Sequence, residues 1–548
     1  MQVFLLFHFR NKLHRIIVLL DATFFTKMYY DFVSRMVEKM QLKYPLTYRF
    51  PIEFYFKNNY MNNEISTLTP NEVWENFYQL TRIPRPSHHE EQIRKFIADF
   101  GKNLGLETIQ DEVGNVIIRK PATPGMEKRK GIILQGHLDM VPQKNSDKDH
   151  DFAKDPIETI IDGEWVKANG TTLGADNGIG VAAAMAVLAS KDLSHGPVEA
   201  LFTATEETGM DGANGLKSGM LKGDILINMD SEDEGELYVG CAGGEDACIE
   251  FSFTEVPVPA ESISFRLNVT GLKGGHSGLD INLGRGNANK IFFRVLKEAS
   301  KVCGLRLASI NGGNLRNAIP REAFGIVTVP YAAADKLVGL IAGLTTIIKR
   351  ELSVTEPTLK IDLSKTEMPA SLIDEKTQIN LTHAIVACPN GAIRMSDSMP
   401  GLVETSTNLA IVKSDNETKT ISISCLMRSS VDTAKAELGS RMDSVFSLAG
   451  AKVTLTGGYP GWKPNMESPI LKTMQNVYQA KFGRIPEIKA IHAGLECGIL
   501  GGTYSHWDMI SFGPTIRFPH SPDEKVNIES VSKFWDFLVE TMKSIPVK

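Results

Sequence analysis

Cysteine is scarce in this chain of 548 residues. Its six cysteines, Cys241, Cys248, Cys303, Cys388, Cys425 and Cys497, form no CxxC pair and no zinc-ribbon spacing. That speaks against a disulfide scaffold and a cysteine-held metal, and fits reduced, cytosolic usage. Positive charge is not in excess either: the formal charge is −6, which leaves no electrostatic footprint for nucleic acid. The glycine-rich stretch Gly170–Gly180 (GTTLGADNGIG) has no G-K-[ST] and no G-x-G-x-x-G register, and Asp176 within it would repel a phosphate.

Glycine is missing from residues 1–60, although the chain holds 46. That segment has nine of the 26 phenylalanines, six of the 12 tyrosines, and nine Lys/Arg against four Asp/Glu. Arg10, Lys12, His14 and Arg15 break its apolar runs, leaving about six clean apolar residues where a signal core has roughly 7–15. It also falls short of the ~20 that span a bilayer. The expectation is that Met61 is the start and 1–60 a mis-assigned extension; the alternative is an amphipathic membrane-surface segment.

What is present suits a soluble globular chain: 42% hydrophobic and 23% charged residues, in a length that calls for two or more domains. A helix is expected from Pro70-Asn71-Glu72 to about Leu80. Ser87 reads as the N-cap of a second helix, Glu90–Leu104, with Glu90 as its capping-box partner. Strands and helices then alternate to about residue 245, predicting a mostly parallel sheet. From 252 to 462 the order of elements changes and repeats. A first half runs Ser262–Thr270, Asn287–Val302, Arg306–Asn311, Ala323–Thr328 and Ala333–Leu352. A second runs Glu375–Val386, Val403–Lys413, Thr418–Met427, Val431–Leu448 and Lys452–Thr456. Each approximates a ferredoxin-like β-α-β-β-α-β unit, and Thr358–Leu363 could close the first or open the second. The predicted architecture is α/β: a catalytic domain in two parts, 61–251 and 463–548, interrupted by an α+β lid at 252–462.

Acids and histidines stand where apolar runs end. Gly131–Gly136 leads into His137-Leu138-Asp139, Val198–Thr205 into Glu206-Glu207, and Asp224–Met229 into Asp230. Ligands of an α/β sheet sit outside strand carboxyl ends, and charges there are costly unless paired or metal-bound. In an extended H-x-D, Asp139 can orient His137. Asp176 sits at a helix start, able to bridge two cations or merely to cap. Adjacent Glu206 and Glu207 diverge, so one can bind metal while the other moves protons. The acids that follow Asp230 read as a solvated loop. His520 lies between Pro519 and Pro522, which are expected to hold it extended. Mixed imidazole and carboxylate donors suit zinc or a neighbouring divalent ion. Each motif alone has a bland reading as a surface or capping group.

Taken in order, the stretches LQGHLDMVPQK (134–144), TTLGADNGIG (171–180), TEETGMDGA (205–213), INMDSEDEGE (227–236), GLKGGHSG (271–278), NLRNAIPREAF (314–324), IHAGLECG (491–498) and GPTIRFPHSPDE (513–524) change that weighing. They resemble the dinuclear zinc metallopeptidase family of aminoacylase, carboxypeptidase G and the carnosinase-type and aminoacyl-histidine dipeptidases, over residues 61–548. The resemblance implies two divalent metals, zinc with cobalt or manganese as alternatives, held by His137, Asp176 and Asp230 and by Asp176, Glu207 and His520. It implies Asp139 orienting His137, Glu206 as general base towards a hydroxide held between the metals, and His276 donating to the oxyanion. Arg428 would bind the substrate's terminal carboxylate, with Asn317 and Gly494 as further contacts. The activity implied is hydrolysis of Xaa-His dipeptides, carnosine-like ones included. N-acyl amino acid deacylation or broad di/tripeptidase activity is the alternative. A catalytically dead binding module is disfavoured by the presence of Glu206. A cytoplasmic enzyme with a dipeptide substrate, no nucleic-acid or membrane partner, and a homodimer as one assembly completes the expectation.

Overall fold

The apolar runs Ile132–His137, Val198–Thr203 and Ile225–Asn228 are buried along their whole length and form the centre of an eight-stranded sheet. The computed structural model describes residues 65–548, so the expectation for 1–60 lies outside the described residues. In spatial order the strands are Glu107–Gln110, Val116–Lys120, Val198–Thr203, Ile132–His137, Ile225–Asn228, Asp508–Ser511, Glu236–Cys241 and Glu487–Ile491. The centre is parallel, from Val198–Thr203 through Asp508–Ser511, while Val116–Lys120 pairs antiparallel at one side. The sheet is therefore mixed, parallel where the site-bearing strands lie.

Alternation along these strands feeds two cores. Val116, Ile118, Ile132, Leu134, Phe202 and Ile227 pack under Trp74, Phe77, Ile179 and Phe534 of the helices Asn71–Thr81, Ala175–Ala189 and Ile528–Ser544. Ile117, Ile133, Leu201 and Leu226 point the other way, against Leu500, Trp507 and Trp462. A fully buried side chain such as Phe77 contributes about 1.5–3 kcal/mol. Small residues let Ala175–Ala189 lie close: a Cβ on Gly178 would stand 2.8 Å from the Phe77 ring.

A second, antiparallel sheet has nine strands. Its order is Lys360–Lys365, Ser262–Thr270, Ala323–Pro330, Arg306–Gly312, Val403–Asp415, Thr420–Ser429, Gly243–Ser252 and Lys452–Tyr459, with Gly391–Met395 added on Val403–Asp415. Helices Ala288–Cys303, Ala334–Glu351, Glu375–Ala387 and Asp432–Leu448 share its core. Lys360–Lys365 pairs with Ser262–Thr270 and so closes the first half. The strand that opens the second half is Gly243–Ser252, between Thr420–Ser429 and Lys452–Tyr459. It precedes the whole first half in sequence, so the first half is inserted inside the second. The expected boundary at 251/252 leaves residues 243–251 with the catalytic part, because their glycines and acids carry no mark of the sheet they join. The two halves meet through a short ladder, Asn311 with Lys413 and Gly312 with Val412.

Tyr331–Glu351 is long and apolar enough to cross a bilayer by composition. Leu337, Ile341 and Ile348 are buried in the second core, and a packed amphipathic helix passes the same test.

Candidate active site

His137 ends its strand with a buried ring, and its two nitrogens face different partners. Nδ1 is 3.3 Å from Asp139 Oδ1, while Nε2 is 3.0 Å from Asp176 Oδ1 and 3.3 Å from Asp230 Oδ1. Asp139 is the hub beneath the cluster. Its carboxylate accepts from Ser87 Oγ at 2.8 Å, Glu206 N at 2.9 Å and Glu207 N at 3.2 Å, which ties His137 to the two glutamates. Ser87 is therefore not a helix cap: the helix begins at Glu91 with no side-chain cap bond. Glu90 instead accepts from Thr205 Oγ1 at 2.8 Å. Both residues had the right spacing for a capping box, but buried partners brought in from distant strands outcompete a local backbone N–H.

Glu206 and Glu207 do not extend from the strand. They open a single helical turn, Glu206–Gly209, after Thr205 takes left-handed backbone at φ 54°. That is a strained conformation for a β-branched residue, and it aims both acids into the cluster. Nor is His520 held extended. It lies in a turn at φ 58°, in the loop joining Ile516–Arg517 to Lys525–Asn527. Proline restricts itself and the residue before it, and His520 is neither. His520 Nε2 is 2.9 Å from Glu207 Oε2 and 3.2 Å from Asp176 Oδ2.

Asp176 thus spans the two imidazoles, one oxygen to each. The turn that presents it is clamped by Glu524, a buried acid that sequence reading passed over. One Glu524 oxygen accepts from Leu173 N (2.7 Å) and Gly174 N (2.9 Å), the other from Ala175 N (2.7 Å) and Asp176 N (3.2 Å). The buried Arg85 guanidinium adds bonds to the main-chain oxygens of Leu138, Asp139 and Gly174. Beneath the strands, buried Glu496 accepts from Gln135 Nε2 and Thr203 Oγ1.

The electrostatics follow from this crowding. Burial pushes Glu206 well above the usual carboxylate range, with His137 opposing and Asp230, Glu496 and Glu207 reinforcing. Burial likewise raises Asp230 to about 6, Glu232 to about 8 and Glu524 to about 7. Asp176 goes the other way: burial opposes its ionised form, but hydrogen bonds from His137 and His520 outweigh it. Hydrogen bonds that His520 donates to Asp176 and Glu207 lift it to about 11.

Donor atoms of His137, Asp176 and Asp230 lie within 4.8 Å of one another, as do those of Asp176, Glu207 and His520, and each set could hold an ion. The fit is supported by a buried carboxylate oxygen, Glu207 Oε1, that has no hydrogen-bond partner among the described residues. Oxygen and imidazole donors of this kind suit zinc, cobalt or manganese.

A second group gathers around Arg428, which lies on Thr420–Ser429 of the second sheet. His276 stands in a two-residue strand paired with Ala318–Ile319. Its Nδ1 accepts from Gly278 N (3.2 Å) and Leu279 N (3.0 Å), which leaves the ring proton on Nε2. Burial and the Arg428 charge push its pKa down, keeping the ring neutral. Arg428 is buried, has no ion pair among the described residues, and leaves Nε without an acceptor; its Nη1 donates to Tyr459 Oη at 3.4 Å. Gly494 lies beneath the Tyr459 ring, where a Cβ would stand 3.2 Å from it. Asn317 is exposed and supplies its main-chain oxygen to Ser277 N at 2.9 Å. His492, also unforeseen, is buried with Nε2 2.7 Å from Ser406 Oγ. No sequence signal distinguishes Glu524, Glu496 or His492 from ordinary core or loop residues.

Comparison with known proteins shows what the chain is similar to. The model of peptidase family M20/M25/M40 matches residues 133–544. The cytosol non-specific dipeptidase of Escherichia coli (strain K12) is 49% identical over 487 residues, 89% of this chain and 100% of the relative. The crystal structure of aminoacylhistidine dipeptidase from Vibrio alginolyticus is 49% identical, covers 89% of this chain and 99% of its own, and superposes with a TM-score of 0.85. Aminopeptidase PepT from Bacillus cereus ATCC 10987 shares the fold at 16% identity and a TM-score of 0.55, over 87% of this chain and 99% of its own.

Proposed function

The chain belongs to peptidase family M20/M25/M40, and on that premise we propose how its residues divide the work. The protein is a metal-dependent dipeptidase, a hydrolase of peptide bonds. Our assignment of substrate is Xaa-His dipeptides, β-alanyl-histidine among them, with latitude at the first residue. The observation that carries the reading is the Asp176 carboxylate, which reaches His137 with one oxygen and His520 with the other.

In this reading His137, Asp176 and Asp230 would hold one divalent ion and Asp176, Glu207 and His520 the second, zinc being our preferred metal. When bound, the ions supply Lewis-acid polarisation of the scissile carbonyl and a lowered pKa for the attacking water. Asp139 holds His137 and the Glu206–Glu207 turn in register. The Glu206 carboxylate takes the water's proton and passes it to the leaving amine; a carboxyl raised by burial is suited to both transfers. His276 directs its Nε2–H at the developing oxyanion. The unpaired Arg428 fork receives the terminal carboxylate, flanked by Asn317 and Gly494. The second sheet would act as a lid, and its second half would place Arg428 opposite His276 without a partner chain, in a monomer or a homodimer. A cytosolic location completes the reading.

The test is a substrate panel on the zinc-loaded protein: β-alanyl-histidine, other dipeptides, a tripeptide and N-acetyl amino acids. Dipeptides should be cleaved and Xaa-His favoured. Faster turnover of N-acetyl amino acids would replace the assignment with a deacylase.

A further inference from the structure

His492 is a buried imidazole with no part in the steps above. It follows Glu487–Ile491, an edge strand of the first sheet. Its loop is pinned there by Ala242 N, which donates to Ile491 O at 3.1 Å and to Ala493 O at 3.0 Å. From that base it meets the lid region twice. Its ring Nε2 is 2.7 Å from Ser406 Oγ of the second sheet. Its main-chain oxygen lies against the turn that follows His276: a Cβ on Gly278 would stand 2.1 Å from that oxygen and 3.1 Å from His276 Cε1.

The place of Ser406 in the ladder gives the first contact its meaning. Ser406 is directly opposite Arg428, Arg428 is opposite Gly244, and Gly244 is opposite Tyr459. Residues opposite one another share a face of the sheet, so Ser406, Arg428 and Tyr459 stand in one row. Gly244 leaves the gap that the Tyr459 ring fills, since a Cβ there would stand 2.7 Å from that ring. Arg428 therefore has Tyr459 on one side and Ser406, with His492, on the other. Its own hold is weak. Among the described residues its guanidinium makes the 3.4 Å bond to Tyr459 Oη and no ion pair. Burial, and then the Arg428 charge, keep the His492 ring neutral, so it borders a guanidinium without repelling it.

We propose that His492 is a positioning residue for the carboxylate site: through Ser406 it fixes the wall beside Arg428, and so sharpens the preference for substrates with a free C-terminal carboxylate. The inference rests on the reading of Arg428 as the receiver of that carboxylate.

The experiment compares β-alanyl-histidine with β-alanyl-histidinamide, which differ only at the C-terminal carboxylate, on the zinc-loaded protein. Wild type should favour the acid in kcat/KM by at least about tenfold. His492→Phe keeps a ring in place and removes the bond to Ser406. It should lower kcat/KM for the acid by about threefold to tenfold, through KM, and leave the amide within about twofold. Ser406→Ala removes the same bond from the other side and should match it, and the double variant should lose no more than either single one. His492→Gln, which can still reach Ser406, should recover part of the preference. Should His492→Phe not fold, Ser406→Ala decides alone. An undiminished preference for the acid overturns the role of His492 and leaves the Arg428 reading standing. Equal losses on acid and amide overturn it too, by marking a merely structural residue. Additive losses in the double variant overturn the route through Ser406. A wild type indifferent to the carboxylate takes down the Arg428 reading and this inference with it.

Discussion

Glutamine in place of Glu524 would probe how firmly the shared ligand Asp176 is held. The native carboxylate accepts two backbone N–H groups on each oxygen, all four from the turn Leu173–Asp176. Glutamine offers one acceptor oxygen. However its amide is turned, its own N–H₂ faces two backbone donors that then have no acceptor. A buried donor left unsatisfied costs about 1–3 kcal/mol, so two cost about 2–6 kcal/mol. An offset comes from removing a carboxylate that burial strains, as its rise to about 7 records. The expected net loss is about 2–4 kcal/mol, read as a lowered urea midpoint for the metal-free protein. Because Asp176 N is one of the four donors, zinc titration by calorimetry should also show weaker binding at both sites. A stability change under about 0.5 kcal/mol, the scale of an ordinary surface substitution, together with unchanged zinc affinity, would refute the clamp.

Glu206→Gln should keep both ions by metal analysis while turnover falls by about 10²–10⁴; a missing ion would mean that the two glutamates have been given each other's roles. His276→Ala should cost about 10²–10³ in turnover with metal content intact. Mixing it with Glu206→Gln chains under exchange conditions should restore nothing, and recovery of activity would show that His276 works across a dimer. Burial, with the Arg428 charge, pushes His492 down to about 3. The unfolded chain, near 6.5, therefore takes up a proton first as pH falls, so this stability is whole above about pH 6.5 and drains away towards pH 3. Between pH 6.5 and 5 wild type should lose about 1.6 kcal/mol more than His492→Gln; parallel urea profiles would falsify this.

The residues that the sequence announces are those where two signals coincide. His137, Glu206, Glu207 and Asp230 stand out because a charge at the end of a buried run conflicts with its surroundings, and the structure gathers them with Asp176 and His520. The elements of the second sheet were legible from periodicity, yet the partner of Gly243–Ser252 was not. Pairing across some 170 residues leaves no trace in either segment's own pattern. Ser87 and Glu90 show the opposite error: a locally plausible cap overridden by Asp139 and Thr205. Glu524 and Arg85 act through backbone groups and His492 touches a partner on the other sheet, and neither property is written in residue identity.

The nesting of one half of the second sheet inside the other sets a timetable for synthesis. Gly243–Ser252 leaves the ribosome long before Thr420–Ser429 and Lys452–Tyr459, the strands on either side of it. At roughly 5–20 residues per second, that strand waits on the order of ten seconds or more with both edges unpaired. The inner half can complete itself meanwhile, because Lys360–Lys365 closes it before any outer partner exists. Glu255–Val256 and Leu372–Ile373 then pair at its base, bringing its entry and exit together. The outer half must therefore assemble around a finished neighbour, and the nascent chain is most vulnerable to edge-to-edge association in the interval between the two.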